Sequence, residues 1–265
     1  MNHFTRTTAA ALLWTLVTGP AQAALVKVDG TTNEVKIGGS GVGAVVLESG
    51  LGDTMEPWEP LLPVIDHFAR SVAYNRLGYG RSGPAMKDPT PEHVAQHLHA
   101  LLTASGVAGP WTLVGHSLGG AYMLAFARLY PKEVGAVVLV DPTPPGQSDI
   151  TKERWPSDYG AIRSVLGMIG GNAKAEFKAF DGSKQAMDTL PPFPAVPIYL
   201  LQSTRRDPSI NPELARWIAD QRKAIAALSP CPVVRDVADS GHYIQRDQPK
   251  AVAAAIYEAV GRPRC

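Results

Sequence analysis

Six short apolar runs, separated by longer stretches of helical periodicity, constrain this chain more than any other feature. The runs are Gly43 to Ser49 (GAVVLES), Arg70 to Arg76 (RSVAYNR), Pro110 to Ser117 (PWTLVGHS), Gly135 to Asp141 (GAVVLVD), Val196 to Ser203 (VPIYLLQS) and Pro232 to Ala238 (PVVRDVA). Several are apolar almost throughout, as strands must be when helices cover both faces of a sheet. Their alternation with helical segments predicts an α/β fold, with βα units around a mostly parallel central sheet flanked by helices. A looser alternation from Leu25 to Ile37, turning at Asp29-Gly30, predicts an antiparallel hairpin at one sheet edge. Helices are predicted over Pro91 to Ala104, Leu118 to Leu129, Pro212 to Ala227 and Pro249 to Val260, with proline at or near the first turn of three of them.

The rhythm breaks between residues 144 and 194. Proline-rich PTPPG and PPFPAVP bracket this region, and IRSVLGMIGG and AEFKAF within it have the look of short helices. An ordered insertion of this length after a strand is expected to form a short helical cap over a site. Leu166, Met168, Ile169, Phe177, Phe180, Met187 and Phe193 are candidates either for an apolar substrate wall or for the cap's own core.

Residues 1–23 read as a signal peptide. Arg6 supplies the positive start, Ala9 to Val17 the apolar segment, and Ala21-Gln22-Ala23 the small-residue cleavage site. The apolar run is well short of the roughly 20 residues that cross a bilayer, and Gly19-Pro20 interrupts it. A single domain from 24 to 265 is expected after cleavage, exported to the periplasm or the medium, with no integral membrane segment. The balance of 25 basic against 24 acidic residues, without any basic run, argues against a nucleic-acid partner and leaves small molecules. In an oxidising compartment the two cysteines, Cys231 and Cys265, are expected to form a disulfide; the alternative is a pair of free or buried thiols. Two cysteines alone make no zinc site. His93, His97 and His99 share one predicted helix, but without a further ligand they read as a solvated face, so neither metal nor cofactor is expected.

Gly115-His116-Ser117-Leu118-Gly119 matches G-x-S-x-G, the pattern of a serine on a sharp strand-to-helix turn. Side chains flanking so strained a backbone would clash, which accounts for the glycines. The helix start behind the serine presents free backbone N–H groups and a partial positive charge. WTLV before the motif and LGGAYMLAFARLY after it supply the strand and the helix that the pattern needs.

From Gly43 to Gly261 the chain resembles the α/β-hydrolase superfamily, in particular its serine esterases and lipase-like members. VVLESGLGD is similar to the strand and loop that supply one oxyanion amide, YNRLGYGRSGP to the glycine-rich turn after the next strand, and DSGHYIQRDQP to the loop carrying the catalytic histidine. The resemblance implies a nucleophile, an acid and a base in the chain order Ser, Asp, His. Ser117 is then the expected nucleophile and His242, the one histidine downstream of it, the expected base; His116 is expected to pack beside the serine. For the orienting carboxylate the resemblance points to Asp207, following the strand Val196 to Ser203, with Asp141 at the preceding strand end as the alternative; Asp239 lies too near His242 in sequence to reach its ring easily. The amides of Leu118 and Leu51 are the expected oxyanion hole. Ser49-Gly50 stands where many relatives carry His-Gly, the HGGG run of one esterase branch is absent, and Asn75 replaces a frequent aspartate. These residues imply an exported carboxylesterase acting through an acyl-enzyme on a small to medium apolar substrate. Thioester, lactone, amide or acyl-transfer chemistry on the same triad, and a catalytically silent binding protein, are the alternatives.

Overall fold

The computed structural model describes residues 23–41, 43–169, 171–205, 207–262 and 264–265. The expected signal segment thus lies outside the described residues, apart from Ala23, which opens the first strand.

Eight strands form one sheet: β1 (Ala23–Val28), β2 (Thr31–Gly38), β3 (Ala44–Glu48), β4 (Arg70–Tyr74), β5 (Trp111–His116), β6 (Val134–Val140), β7 (Ile198–Ser203) and β8 (Val233–Val237). Their spatial order is β1-β2-β4-β3-β5-β6-β7-β8. From β4 to β8 every neighbouring pair is parallel, whereas β2 runs antiparallel to both β1 and β4. The hairpin turns on Asp29 and Gly30, with φ of 46° and 78°. Two successive positive φ values match the right-handed twist of the flanking strands, which explains an Asp-Gly pair there.

The helices are α1 (Leu62–Ile65), α2 (Pro91–Ala104), α3 (Leu118–Leu129), α4 (Gln147–Arg154), α5 (Pro156–Ile169), α6 (Gly171–Phe180), α7 (Ser183–Asp188), α8 (Pro212–Ala226), α9 (Ile244–Asp247) and α10 (Pro249–Gly261). Thr90 caps α2 through its hydroxyl, which accepts from the N–H of His93, and Asn211 caps α8 in the same way through Glu213. A short 3-10 turn at Glu56–Trp58 and the single turn α1 were not evident in the sequence.

Every residue of β3 and β5 is buried, as strands in the middle of a doubly covered sheet should be. Successive side chains serve opposite layers. Val46, Leu113 and Leu139 meet Leu98 of α2 and Phe126 of α3, while Val45, Val114 and Val138 meet Ile65 of α1 and Ile256 of α10. Burying each such side chain contributes about 1.5–3 kcal/mol, so the two layers fix the strand ends on which the site depends. Helices α4 to α7 fill the interval between β6 and β7. Cys231 and Cys265 form a disulfide that ties the residues before β8 to those after α10. Among the described residues no helix is long and apolar enough to cross a membrane.

Candidate active site

Ser117 follows β5 with φ 53° and ψ −122°, a left-handed conformation that an L-residue adopts only under constraint. The constraint is close packing. A Cβ on Gly115 would come within 2.6 Å of the Gly119 carbonyl oxygen, and one on Gly119 within 2.6 Å of the carbonyl oxygens of Glu48 and Ser49. Only glycine permits α3 to start this close to β5 and to the loop after β3. The Ser117 N–H donates to the Val140 carbonyl at 3.1 Å, and its own carbonyl accepts from Gly120 and Thr143 at 3.0 Å each.

Parallel pairing aligns the neighbouring strand ends, with His116 of β5 opposite Val140 of β6. Ser117 and Asp141 therefore leave the sheet side by side. His242, in the loop after β8, lies between them: its Nε2 is 2.9 Å from Ser117 Oγ and its Nδ1 is 2.7 Å from Asp141 Oδ2. Asp141 is buried, with φ 45°. Its other oxygen, Oδ1, accepts from the Ser203 N–H at 2.9 Å and from Arg222 Nη1 at 2.8 Å. Burial alone would raise the Asp141 pKa, but the bond to His242 and the charge of Arg222 outweigh it and hold the carboxyl well below the usual range.

Contrary to the expectation from the resemblance, Asp207 is not brought to the histidine. Asp207 lies past the end of β7 on the exposed surface, where its Oδ1 accepts from the N–H and hydroxyl of Ser209 at 2.8 and 2.6 Å. Those bonds chiefly hold its pKa down, with a lesser pull from the charge of His242, and no hydrogen bond joins it to the imidazole among the described residues. The position beside His242 belongs to Asp141 because β6 ends next to Ser117, whereas the chain after β7 has moved out to solvent by residue 207. Asp239 is exposed as well. Arg222, on α8, was not anticipated; only the fold brings it to Asp141.

His116 is 1% exposed and its Nε2–H donates to the His242 carbonyl at 2.9 Å. Burial and the nearby His242 push its pKa down to about 3, so it stays neutral, and its Nδ1 has no hydrogen-bond partner among the described residues. His97 is bonded to Asn33 and His99 stacks on Tyr130. No group of three or more His, Cys, Asp or Glu side chains among the described residues is arranged to hold a metal.

Leu51 and Leu118 flank a cavity of about 140 Å³ that reaches Ser117. Neither amide donates to a backbone carbonyl among the described residues, and Leu118 opens α3, where N–H groups lack helical partners. Thr143 also lines the cavity, its Oγ1 3.1 Å from Ser117 Oγ. The insertion contributes the opposite wall through Gln147, Ser148 and Thr151 of α4, Tyr159 and Ile162 of α5, and Phe177 and Phe180 of α6. Of the apolar residues weighed from the sequence, Phe177 and Phe180 line this cavity; Met187 and Phe193 belong to the main core, and Met168 is 80% exposed.

One buried guanidinium holds the early loop. Arg76 spends all five N–H donors: Nε and Nη2 on Glu176 (2.7 and 3.0 Å), Nη1 on Glu48 and the Ser49 carbonyl (2.7 and 2.8 Å), and Nη2 again on the Gly50 carbonyl (2.8 Å). Glu48 and Ser49-Gly50 lead directly to Leu51, and Glu176 lies on α6, so a single cation joins the candidate oxyanion loop to the insertion.

Residues 43–165 match the family model described as alpha/beta hydrolase fold. Over 221 residues the chain is 28% identical to an uncharacterized protein of Bacillus subtilis (strain 168), YqjL, covering 83% of this chain and 84% of that one. Over 98 residues it is 35% identical to a putative carbamate hydrolase, RutD, of Escherichia coli O127:H6, covering 37% and 36%. The fold superposes on the enol-lactonase of Burkholderia xenovorans LB400 with a TM-score of 0.64 at 18% identity, over 90% of this chain and all of that one.

Proposed function

The chain belongs to the α/β-hydrolase superfamily, and within it we propose a serine hydrolase that cleaves carboxylic esters through an acyl-enzyme. The observation that carries this reading is the continuous hydrogen-bonded line from Ser117 Oγ through His242 to the buried, ionised Asp141.

His242 Nε2 takes the Ser117 proton as Oγ attacks the carbonyl carbon; the ester oxygen leaves with that proton, and water, deprotonated by the same nitrogen, releases the acid. Asp141 keeps Nδ1 protonated and stabilises the imidazolium, while Arg222 and the Ser203 amide keep Asp141 charged. The amides of Leu51 and Leu118 receive the negative charge that develops on the carbonyl oxygen. The cavity, with Phe177 and Phe180 in its wall, suits a small to medium acyl or alcohol group. A lactone is a cyclic ester, so the likeness to an enol-lactonase is in keeping with the same steps.

We further propose export, for which the amino-terminal sequence and the Cys231–Cys265 disulfide both speak. A fluorophosphonate reagent tests the chemistry. It should label Ser117 in the folded protein and lose its reaction in His242→Ala; absence of an adduct at Ser117 refutes the proposal.

A further inference from the structure

A second cleft, of about 540 Å³, opens beside the cavity over Ser117. Tyr159 and Phe177, whose rings lie 5.6 Å apart, line both spaces and form the partition between them. Four cations, Lys152, Arg163, Lys174 and Lys178, face this cleft with one carboxylate, Asp181. The whole chain has a formal net charge of only +1, so the cleft gathers positive charge that the surface elsewhere balances.

The fate of the insertion's acids explains the excess. Of these six acids, Glu176 turns inward to Arg76, Asp188 pairs with Lys184, Asp149 accepts from the Gly182 N–H, Asp181 accepts from the hydroxyls of Ser148 and Tyr159, and Glu153 and Asp158 lie outside the lining of the cleft. Among the described residues none of the four cleft cations has an ion-pair partner. Two of them flank the partition: Lys152 Nζ and Arg163 Cζ lie 6.0 and 5.9 Å from the centroid of the Tyr159 ring. Like charges converging without counterions raise the local potential and favour an anionic ligand.

We infer that the substrate carries an anionic group, a carboxylate or a phosphate, remote from the scissile carbonyl, which the Lys152–Arg163–Lys174–Lys178 cleft binds while the ester occupies the cavity over Ser117. This inference rests on the ester-hydrolase reading for its orientation. The uncharged middle of such a substrate passes the Tyr159–Phe177 partition, and the anion exchanges water for guanidinium and ammonium donors.

The test compares esters matched in length. 4-Nitrophenyl hexanoate is set against the mono-4-nitrophenyl ester of adipic acid, which places a carboxylate at the acyl end, and phenyl butyrate against 4-carboxyphenyl butyrate, which places it on the alcohol. At least one carboxylate ester should exceed its neutral partner in kcat/KM by about tenfold, mainly through KM, with an advantage that shrinks as salt is added. The ratio should fall to about one or below in the Arg163→Glu/Lys174→Glu/Lys178→Glu protein. Replacing the preferred carboxylate by phosphate separates the two anions. Turnover of the neutral esters with no preference for either charged partner overturns the inference while leaving the ester reading intact. If no ester is turned over, that reading fails, and calorimetry with monomethyl adipate decides the cleft alone: binding abolished by the triple charge reversal supports it, and no binding refutes it.

Discussion

Asp141 and His242 stand 101 positions apart in the chain, yet Asp141 Oδ2 lies 2.7 Å from His242 Nδ1. The contact gives Asp141→Asn two consequences: the amide can favour the wrong tautomer of the imidazole, and it leaves the imidazolium without a balancing charge. We expect kcat on a short 4-nitrophenyl ester to fall by about 10³ to 10⁴-fold. Asp207→Asn, which loses only a surface turn with Ser209, should stay within about twofold of the unaltered protein, in line with surface substitutions generally. Equal losses in the two variants would contradict the assignment.

His116 offers a prediction in pH. Burial holds its pKa at about 3, below the ordinary 6.5, so between those values the unfolded chain binds a proton that the folded protein refuses. Stability from this group is therefore complete above about pH 6.5 and declines as pH falls toward 3, with a slope approaching about 1.4 kcal/mol per pH unit for one full proton. His116→Gln, whose amide can still donate to the His242 carbonyl, removes that titration. Urea unfolding at a series of pH values between 4 and 6 should show a shallower acid decline in the variant, by up to one proton; an unchanged slope would refute the assignment.

The parts of this molecule legible in the sequence are those written in local pattern. The helix predicted over Pro91 to Ala104 has the same bounds in the structure, and the six apolar runs fall on β3 to β8 within a residue or two, because each periodicity is complete within its own segment. Ser117 and His242, whose Oγ and Nε2 the fold brings to 2.9 Å, stand out in the sequence as candidates because a steric pattern marks the first and the second is the one histidine after it. Asp141 against Asp207 was a different kind of question. Both follow strands, and what separates them is the lateral order of β5, β6 and β7 together with two partners, Ser203 and Arg222, that only folding brings to Asp141. The same limit applies to Arg76, whose partner Glu176 is 100 residues away, and to the cleft cations, whose lack of counterions depends on where each acid turns.

The disulfide closes a span of 34 residues that includes β8, the His242 loop and α10. Chain entropy assigns such a closure about 4 kcal/mol of stabilisation. Cys231→Ser/Cys265→Ser should lower the urea midpoint accordingly and make it insensitive to reductant, whereas the unaltered protein should lose the same stability on reduction. Loss of stability without reductant sensitivity in the unaltered protein would show that the thiols are not joined.

Arg76 is the point at which stability and turnover meet. Arg76→Met leaves Glu48 and Glu176 buried without their cation, a loss of about 3–5 kcal/mol, and releases the carbonyls of Ser49 and Gly50 from the guanidinium that fixes them. Burial already pushes the Glu48 carboxyl up against the pull of Arg76, so removing the cation drives it further toward the neutral acid. Adding Glu176→Gln to Arg76→Met should recover part of the stability, because one uncompensated charge goes with it, but should not restore the loop. A positioning role for Arg76 therefore predicts a kcat that stays low in the stabilised double variant while KM changes little, with Arg76→Lys intermediate because an ammonium cannot span both carbonyls and both carboxylates. If the double variant regains full kcat together with its stability, Arg76 acts on folding alone and the candidate oxyanion loop holds its shape without it.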